Sequence, residues 1–424
     1  MKVLHITCFD NGGAGIAAVR LHKALLNHGV ESKVLVLQKR TSGPEIYQME
    51  KKNKYVKLFQ RVLKKLGFPQ TLEDYNDNLY KSFPGNFEYF SFAQTSYSNL
   101  VNHPLVQECD VINLHWIANF LDYKSFFKYV SKPIVWTQHD MSAFQGGFHY
   151  KEDDVRNAKI LSEVNNEQYQ CKLKAISGLP KADMHVVSPS KWMMSEASSS
   201  EILGRFEHHH IPNGIDPNVF YLKGLRALKE KFGFKRDKIT VLLVSETVTS
   251  RRKGFDFIKK LVQDPFLADI CEFVAVGKAN NADRIPGIKY MGSISSEIKI
   301  SEIYGAADIY LLGSREDNLP NVLLESLASG TPVVAFAVGG MKDLVIDGFN
   351  GFLSKELSTE GLRGALLTCI RMLQTLHRRD ISNHATSNYN LDVQAKSYID
   401  VYKKLGEATV QLSGQGSETS RIYG

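Results

Sequence analysis

The chain has 424 residues, 43% hydrophobic and 23% charged, a balance typical of soluble globular proteins and a length too great for one ordinary core. A formal charge of +7 suits an anionic substrate or surface, and no nucleic-acid partner is expected. Five scattered cysteines (Cys8, Cys109, Cys171, Cys271 and Cys369) contain no CxxC pair, which argues against a disulfide framework or a zinc knuckle.

The opening MKVLHITCFDNGG reads as a strand and a glycine loop, not as a signal peptide. No run of about 18 apolar residues follows anywhere, so no membrane span is predicted, and the cysteine usage fits a reducing cytoplasm. A strand at 3–7, a loop at 8–15, a helix at 16–28 closed by Gly29, and a strand at 32–37 make a β–loop–α–β opening. Gly12 and Gly13 would let backbone approach a ligand, and Gly15 would let the helix start pack closely. A dinucleotide site wants an acid about twenty residues on. The second strand instead ends in Gln38, Lys39 and Arg40, which argues against NAD and leaves the loop for a leaving phosphate or an acceptor.

Residues 41–99 break this rhythm and read as an insertion. Within it, 51–68 (KKNKYVKLFQRVLKKLGF) predicts a basic amphipathic helix. Such a helix either lies on an anionic membrane surface or packs its apolar face on the first domain. Strands are predicted at 111–114, 134–137 and 185–188, with a helix starting near 190. The segment 207–220, EHHHIPNGIDPNVF, reads as the connection between halves. His208, His209 and His210 would alternate faces on a strand, so the three cannot share one ion, and no metal site is expected.

The second half repeats the architecture without a sequence repeat. Strands are predicted at 240–245, 271–276, 288–291, 308–312 and 333–337, and helices at 255–262, 298–306, 321–329, 359–376 and 393–405. The reading is α/β: two Rossmann-like, doubly wound domains, 1–206 and 207–388, facing across a cleft. A closing helix at 389–410 returns to the first domain, and 411–424 reads as a disordered polar tail.

The densest chemistry lies at 314–330, SREDNLPNVLLESLASG, followed by TPVVAF. A helix start favours phosphate, because its unpaired N–H groups and dipole both attract negative charge. Asn318 is a candidate N-cap, Pro320 an early helical residue and Gly330 a terminator. Asn321 and Glu325 share one face, where a carboxylate can accept from a ribose diol.

This segment resembles the signature of the retaining glycosyltransferase family 4, which has the GT-B fold. There, two glutamates separated by seven residues flank a glycine-rich helix start. Glu325 matches the second; Asp317, with Glu316 beside it, stands where the first belongs. The resemblance implies that Glu325 binds the nucleotide ribose. It implies that Asp317 or Glu316 holds donor-sugar hydroxyls near the N–H groups of Asn318 and Leu319. Asn318 and Pro320 replace the family's glycines, and Pro320 lacks an N–H. At 250–254, SRRKG resembles the family's Lys-Gly motif; Lys253 would meet the donor diphosphate, with Arg251 or Arg252 standing in for an arginine the family carries at the place of Val248.

Two further stretches, NLHWI at 113–117 and WTQHDMSAFQGGFHY at 136–150, resemble a branch that builds bacterial capsular and colanic-acid-type polysaccharides. His139 matches the family histidine at the donor sugar; His115, Trp116, Asp140 and His149 are placed on the acceptor side. Phe148 stands where the branch often has cysteine. VSPSKWM at 187–193, PNGID at 212–216 and the helix near 389–405 extend the resemblance over most of the chain.

The implied activity is metal-independent, retaining transfer of a hexose-type sugar from a UDP- or GDP-sugar to a saccharide acceptor, lipid-linked in the related enzymes. No cofactor is expected, since the nucleotide-sugar is a substrate. Two alternatives share the frame: a nucleotide-sugar epimerase, which would need acid–base residues around the sugar, and a non-catalytic nucleotide-sugar-binding homologue.

Overall fold

Two parallel sheets organise the chain. The computed structural model describes residues 1–50, 71–84, 87–247, 250–279 and 284–418. The basic segment read at 51–68, and Val248, lie outside them. One unit comprises Met1–Ser188, Met193–Ile211 and Ala395–Gly424; the other comprises Pro189–Trp192 and Pro212–Gln394.

Among its described residues the first unit contains seven strands: β1 (Lys2–Phe9), β2 (Glu31–Gln38), β3 (Ile46–Gln48), β4 (Val111–Leu114), β5 (Ile134–Thr137), β6 (Met184–Ser188) and β7 (Glu207–His210). Their order is β3-β2-β1-β4-β5-β6-β7 and every pairing is parallel. Central strands of such a sheet are covered on both faces, so they carry continuous apolar runs instead of alternation. All residues of β4, β5 and β6 are accordingly buried.

The second unit holds β8 (Ile239–Thr247), β9 (Cys271–Lys278), β10 (Ile288–Tyr290), β11 (Ile309–Leu312), β12 (Val333–Phe336) and β13 (Gly351–Ser354). The order is β10-β9-β8-β11-β12-β13, again parallel throughout. Its core joins Val241, Val274, Ile309 and Val334 from the strands to Ile258, Leu323 and Leu366 from helices. Two doubly wound parallel sheets are the α/β architecture expected from the sequence.

Several elements depart from the sequence reading. The first helix spans Gly12–Asn27, so Gly12 and Gly13 lie in its first turn and not in a preceding loop. The segment 207–210, read as a connection, pairs with β6 as edge strand β7; cross-strand hydrogen bonding, not an apolar pattern, places EHHH there. The charged run Lys151–Ser177 forms a long helix that the periodicity did not reveal. The last helix runs Leu391–Glu418, past the position where the sequence reading begins a disordered tail.

That last helix is tied to the first sheet by two buried tyrosines. Asn113 Nδ2 donates to the Tyr402 hydroxyl (2.7 Å), and the hydroxyls of Thr137 and Tyr398 are 3.0 Å apart. Thr137 also donates to Asn113 Oδ1 (2.9 Å). A buried donor left without its acceptor is destabilised by its lost solvation. Tyr402→Phe is therefore expected to lower the unfolding free energy of the first unit by about 1–3 kcal/mol, read from a urea transition followed in that unit.

Candidate functional site

In the second unit, the turn after β8 and the loop after β11 are built against each other. Gly254 has φ +68°, and a Cβ on it would collide with the carbonyl of Gly313. Only glycine meets both conditions, and its absent side chain brings 250–254 onto 313–317. Arg315 N–H donates to the Arg252 carbonyl (2.8 Å), and the Arg252 guanidinium donates to the Glu316 carbonyl (3.1 Å). Arg315 spans Asp256 with two hydrogen bonds (2.8 and 2.7 Å) and lies 4.0 Å above the Phe257 ring.

At the centre of this junction sits Asp317, 7% exposed. Lys253 Nζ is 2.5 Å from its Oδ2, Arg252 is 3.5 Å away, and Ser314 donates at 3.3 Å. Burial alone would push its pKa up; the two cations and the hydrogen bonds outweigh that and hold it below the ordinary carboxylate value. Of the two acids left open by the sequence, the structure brings Asp317 to Lys253 and Arg252, while Glu316 meets Arg252 through its carbonyl. Arg251 is exposed, and its carbonyl serves the turn by accepting from Gly254 N–H (2.8 Å).

The next residues are held by a second pair of glycines. Cβ atoms on Gly339 and Gly340 would strike the carbonyls of Asp317 and Asn318, and Gly340 N–H donates to the Asn318 carbonyl (2.8 Å). Ser190 donates to Asn318 Oδ1 (2.6 Å); Asn213 donates to the Leu319 carbonyl (3.2 Å) and to Asn321 Oδ1 (2.9 Å). Asn318 is thus not the N-cap expected for it. Pro320 takes that position in front of Asn321–Ala328 and supplies no side-chain acceptor. Glu325, 7% exposed, follows one turn after Asn321 on the same face. From β11, Tyr310 presents a buried hydroxyl; burial first, then the charges of Asp317 and Glu325, raise its pKa well above the usual phenol value.

The first unit carries a different assembly. His139, just beyond β5 and partly buried, joins a chain of imidazoles whose other members, His115 and His5, are buried. Its Nε2 is 2.9 Å from His115 Nδ1, and His115 Nε2 is 2.9 Å from His5 Nδ1. Each contact needs one proton between two nitrogens, so the tautomers of the rings are correlated. Burial lowers all three pKa values, that of His139 to about 4, leaving neutral rings.

Trp116 Nε1 donates to Asp140 Oδ2 (2.7 Å). The same oxygen is 2.7 Å from His149 Nδ1, and His149 Nε2 is 3.0 Å from the Ser91 hydroxyl. Burial opposes ionisation of Asp140, yet His149 and the Ser142 hydrogen bonds keep its pKa well below the carboxylate range. The order Ser–His–Asp matches a nucleophile chain, but Ser91 is 4% exposed and anchors a loop instead. Gly147 lies against the Phe90 ring, Gly146 against Asn165, and Phe148 packs on Phe90 at 5.0 Å. Buried Lys172 donates to the carbonyls of Ser142 (2.6 Å) and Gly146 (2.5 Å), and its pKa falls to about 7 through desolvation. Within 136–150, Asp140, Gly146, Gly147, Phe148 and His149 thus fix this loop by packing and hydrogen bonds.

The turn from β1 into the first helix is supported likewise. Asp10 accepts from the Arg40 and Thr41 N–H groups (2.7 and 2.8 Å), and a Cβ on Gly15 would strike the Phe9 carbonyl. Gly13 has open space around it. Arg315, Tyr310 and His5 carry no sequence signal of their own; Ser190 and Asn213 lie within recognised motifs at 187–193 and 212–216.

Residues 238–372 match the model of a family described as glycosyl transferases group 1. A D-inositol 3-phosphate glycosyltransferase of Streptosporangium roseum is 24% identical over 58% of this chain and 57% of its own. The chain spans about half the length of the curated relatives it matches. Sucrose-phosphate synthase from Thermosynechococcus elongatus superposes with a TM-score of 0.69 at 15% identity, covering 96% of this chain and 100% of the other. Anabaena Alr3699/HepE in complex with UDP-glucose gives a TM-score of 0.60 at 16% identity, covering 95% and 99%. These likenesses establish the fold as GT-B.

Acid should expose the neutral histidine chain. Between about pH 6.5 and 4 the unfolded chain binds protons that folded His139 refuses, so its contribution is present above that window and lost as pH falls through it. Urea unfolding at pH 7 and pH 4.5 should show His139→Asn losing about 2–3 kcal/mol less than wild type on acidification.

Proposed function

We propose that the protein is a glycosyltransferase moving a hexose-type sugar from a UDP- or GDP-sugar to a saccharide acceptor in cell-surface polysaccharide synthesis, with retention of configuration. The observation that carries this reading is the junction of Lys253, Arg252 and Asp317 beside the 321–328 helix start, within the segment matching the glycosyl transferases group 1 model. The UDP-glucose bound by the similar Anabaena protein supports the donor class. The motifs at 113–117 and 136–150 support the polysaccharide branch of family 4 and a lipid-linked acceptor. On this reading the basic segment 51–68 meets an anionic membrane surface at the cytoplasmic face.

In the reaction, the bond from the anomeric carbon to the leaving phosphate oxygen breaks and a bond to the acceptor oxygen forms on the same face. The acceptor proton passes to the departing diphosphate. That diphosphate gains negative charge as it leaves, and fixed cations stabilise it where the charge develops. Lys253 and Arg252 fill this role, oriented in advance by Asp317. Glu325 accepts from the ribose diol, and His139, a neutral ring, hydrogen-bonds the donor sugar. The transfer needs no metal, so turnover should persist in EDTA.

Binding of a UDP-, GDP- and ADP-sugar panel, followed by thermal shift and calorimetry, tests the reading. One nucleotide should raise the melting temperature, and Glu325→Ala should weaken its binding by about 2–4 kcal/mol through lost charged hydrogen bonds. Unchanged affinity in the variant would remove the ribose role. Product formation only on adding a saccharide acceptor separates transfer from epimerisation, and its absence would favour a non-catalytic binder.

A further inference from the structure

The edge of the first sheet holds a cluster that the transfer reaction does not use. In the parallel register of β6 and β7, His185 pairs with Glu207 and Val187 with His209. Paired residues of a parallel ladder share a face, and so do residues two apart on one strand. His185, Glu207 and His209 therefore project together, while His208 turns away and sits 3.0 Å from the Leu203 carbonyl. One ligand atom from each of the three lies within 4.8 Å of the others.

We propose that His185, Glu207 and His209 form a binding site for a divalent transition metal, with zinc the natural occupant, clasping edge strand β7 to β6. Tetrahedral ligands about 2.0–2.1 Å from zinc stand about 3.3–3.4 Å from one another. His185 Nδ1 and His209 Nε2 are 3.1 Å apart, and His209 Nε2 is 3.4 Å from Glu207 Oε1; Glu207 Oε2 stands 3.7 Å from the other His185 nitrogen, Nε2, so gathering all three on one ion takes a turn of the exposed Glu207 side chain. Two imidazoles and one carboxylate are a recurrent zinc donor set, leaving a fourth position for water. Burial lowers the pKa of both histidines, and the hydrogen bond from Lys404 lowers that of Glu207. His185 is buried and Glu207 is 41% exposed, giving an anchored inner ligand and an outer one open to solvent.

The competitor is Lys404. Its Nζ sits 2.5 Å from Glu207 Oε1, so an ammonium neutralises the carboxylate that zinc would take. The Lys404 side chain is 62% exposed and can swing into water when a metal arrives. That competition gives the proposal a signature that an ordinary surface ion pair lacks.

Untagged, EDTA-stripped protein is titrated with zinc in a calorimeter, and with cobalt followed by visible absorption. The expected result is one ion per chain, with the intense visible bands of tetrahedral cobalt. Lys404→Ala should bind about tenfold more tightly, from removal of the adjacent positive charge. His209→Ala and Glu207→Gln, checked for folding by circular dichroism, should each lose at least about a hundredfold. His208→Ala should bind as wild type does, which separates a built site from unspecific capture by three consecutive histidines. Absence of 1:1 binding in both wild type and Lys404→Ala overturns the proposal, as does an equal loss in His208→Ala and His209→Ala.

Discussion

Parallel strand polarity is the constraint from which the rest follows. When every strand of a sheet runs the same way, all the loops that leave its carboxyl ends gather along one edge. In the second unit that edge collects the turn after β8, the loop after β11 and the glycine pair after β12. Residues as distant in sequence as Lys253, Asp317 and Gly340 meet because of it. In the first unit the same rule gathers the loop after β1, His115 after β4 and His139 after β5. The sheet supplies the address, and local glycines settle the final ångström.

Burial then decides what each ionisable group can be. Asp317 keeps its charge inside the protein because Lys253 and Arg252 stand against it. The His5–His115–His139 chain takes the opposite solution and stays neutral. Asp140 belongs to a third type, a buried anion satisfied by a tryptophan, a histidine and a backbone N–H. Each arrangement leaves little freedom: removing one partner exposes another to an environment that cannot solvate it.

Much of this was legible in the sequence, for physical reasons. Central parallel strands announce themselves as unbroken apolar runs, and 111–114 and 134–137 are read to the residue. The helix that carries Glu325 was legible because its apolar spacing and the Gly330 stop agree. Edge strand β7 was not, because EHHH carries no burial pattern and is held by its neighbour. His5 was illegible as a partner of His139: its link runs through tertiary contact with His115 from another strand. The N-cap assignment of Asn318 failed because Ser190, far away in sequence, claims the side-chain oxygen that a cap would use. The hydrogen bonds that join Asp140 and His149 to one another, to Trp116 and to Ser91 were not legible either, because they link residues from separate loops.

The seat beneath Asp317 and Asn318 has a further consequence. There, main chain rests directly on main chain, with Gly339 and Gly340 supplying the clearance. Two stretches in such contact cannot diverge independently, since any side chain added to one must be matched by a retreat of the other. Loop exchange at this place would therefore have to move 314–320 and 338–341 as a single cassette. A transplant of the first alone would arrive with no floor to stand on.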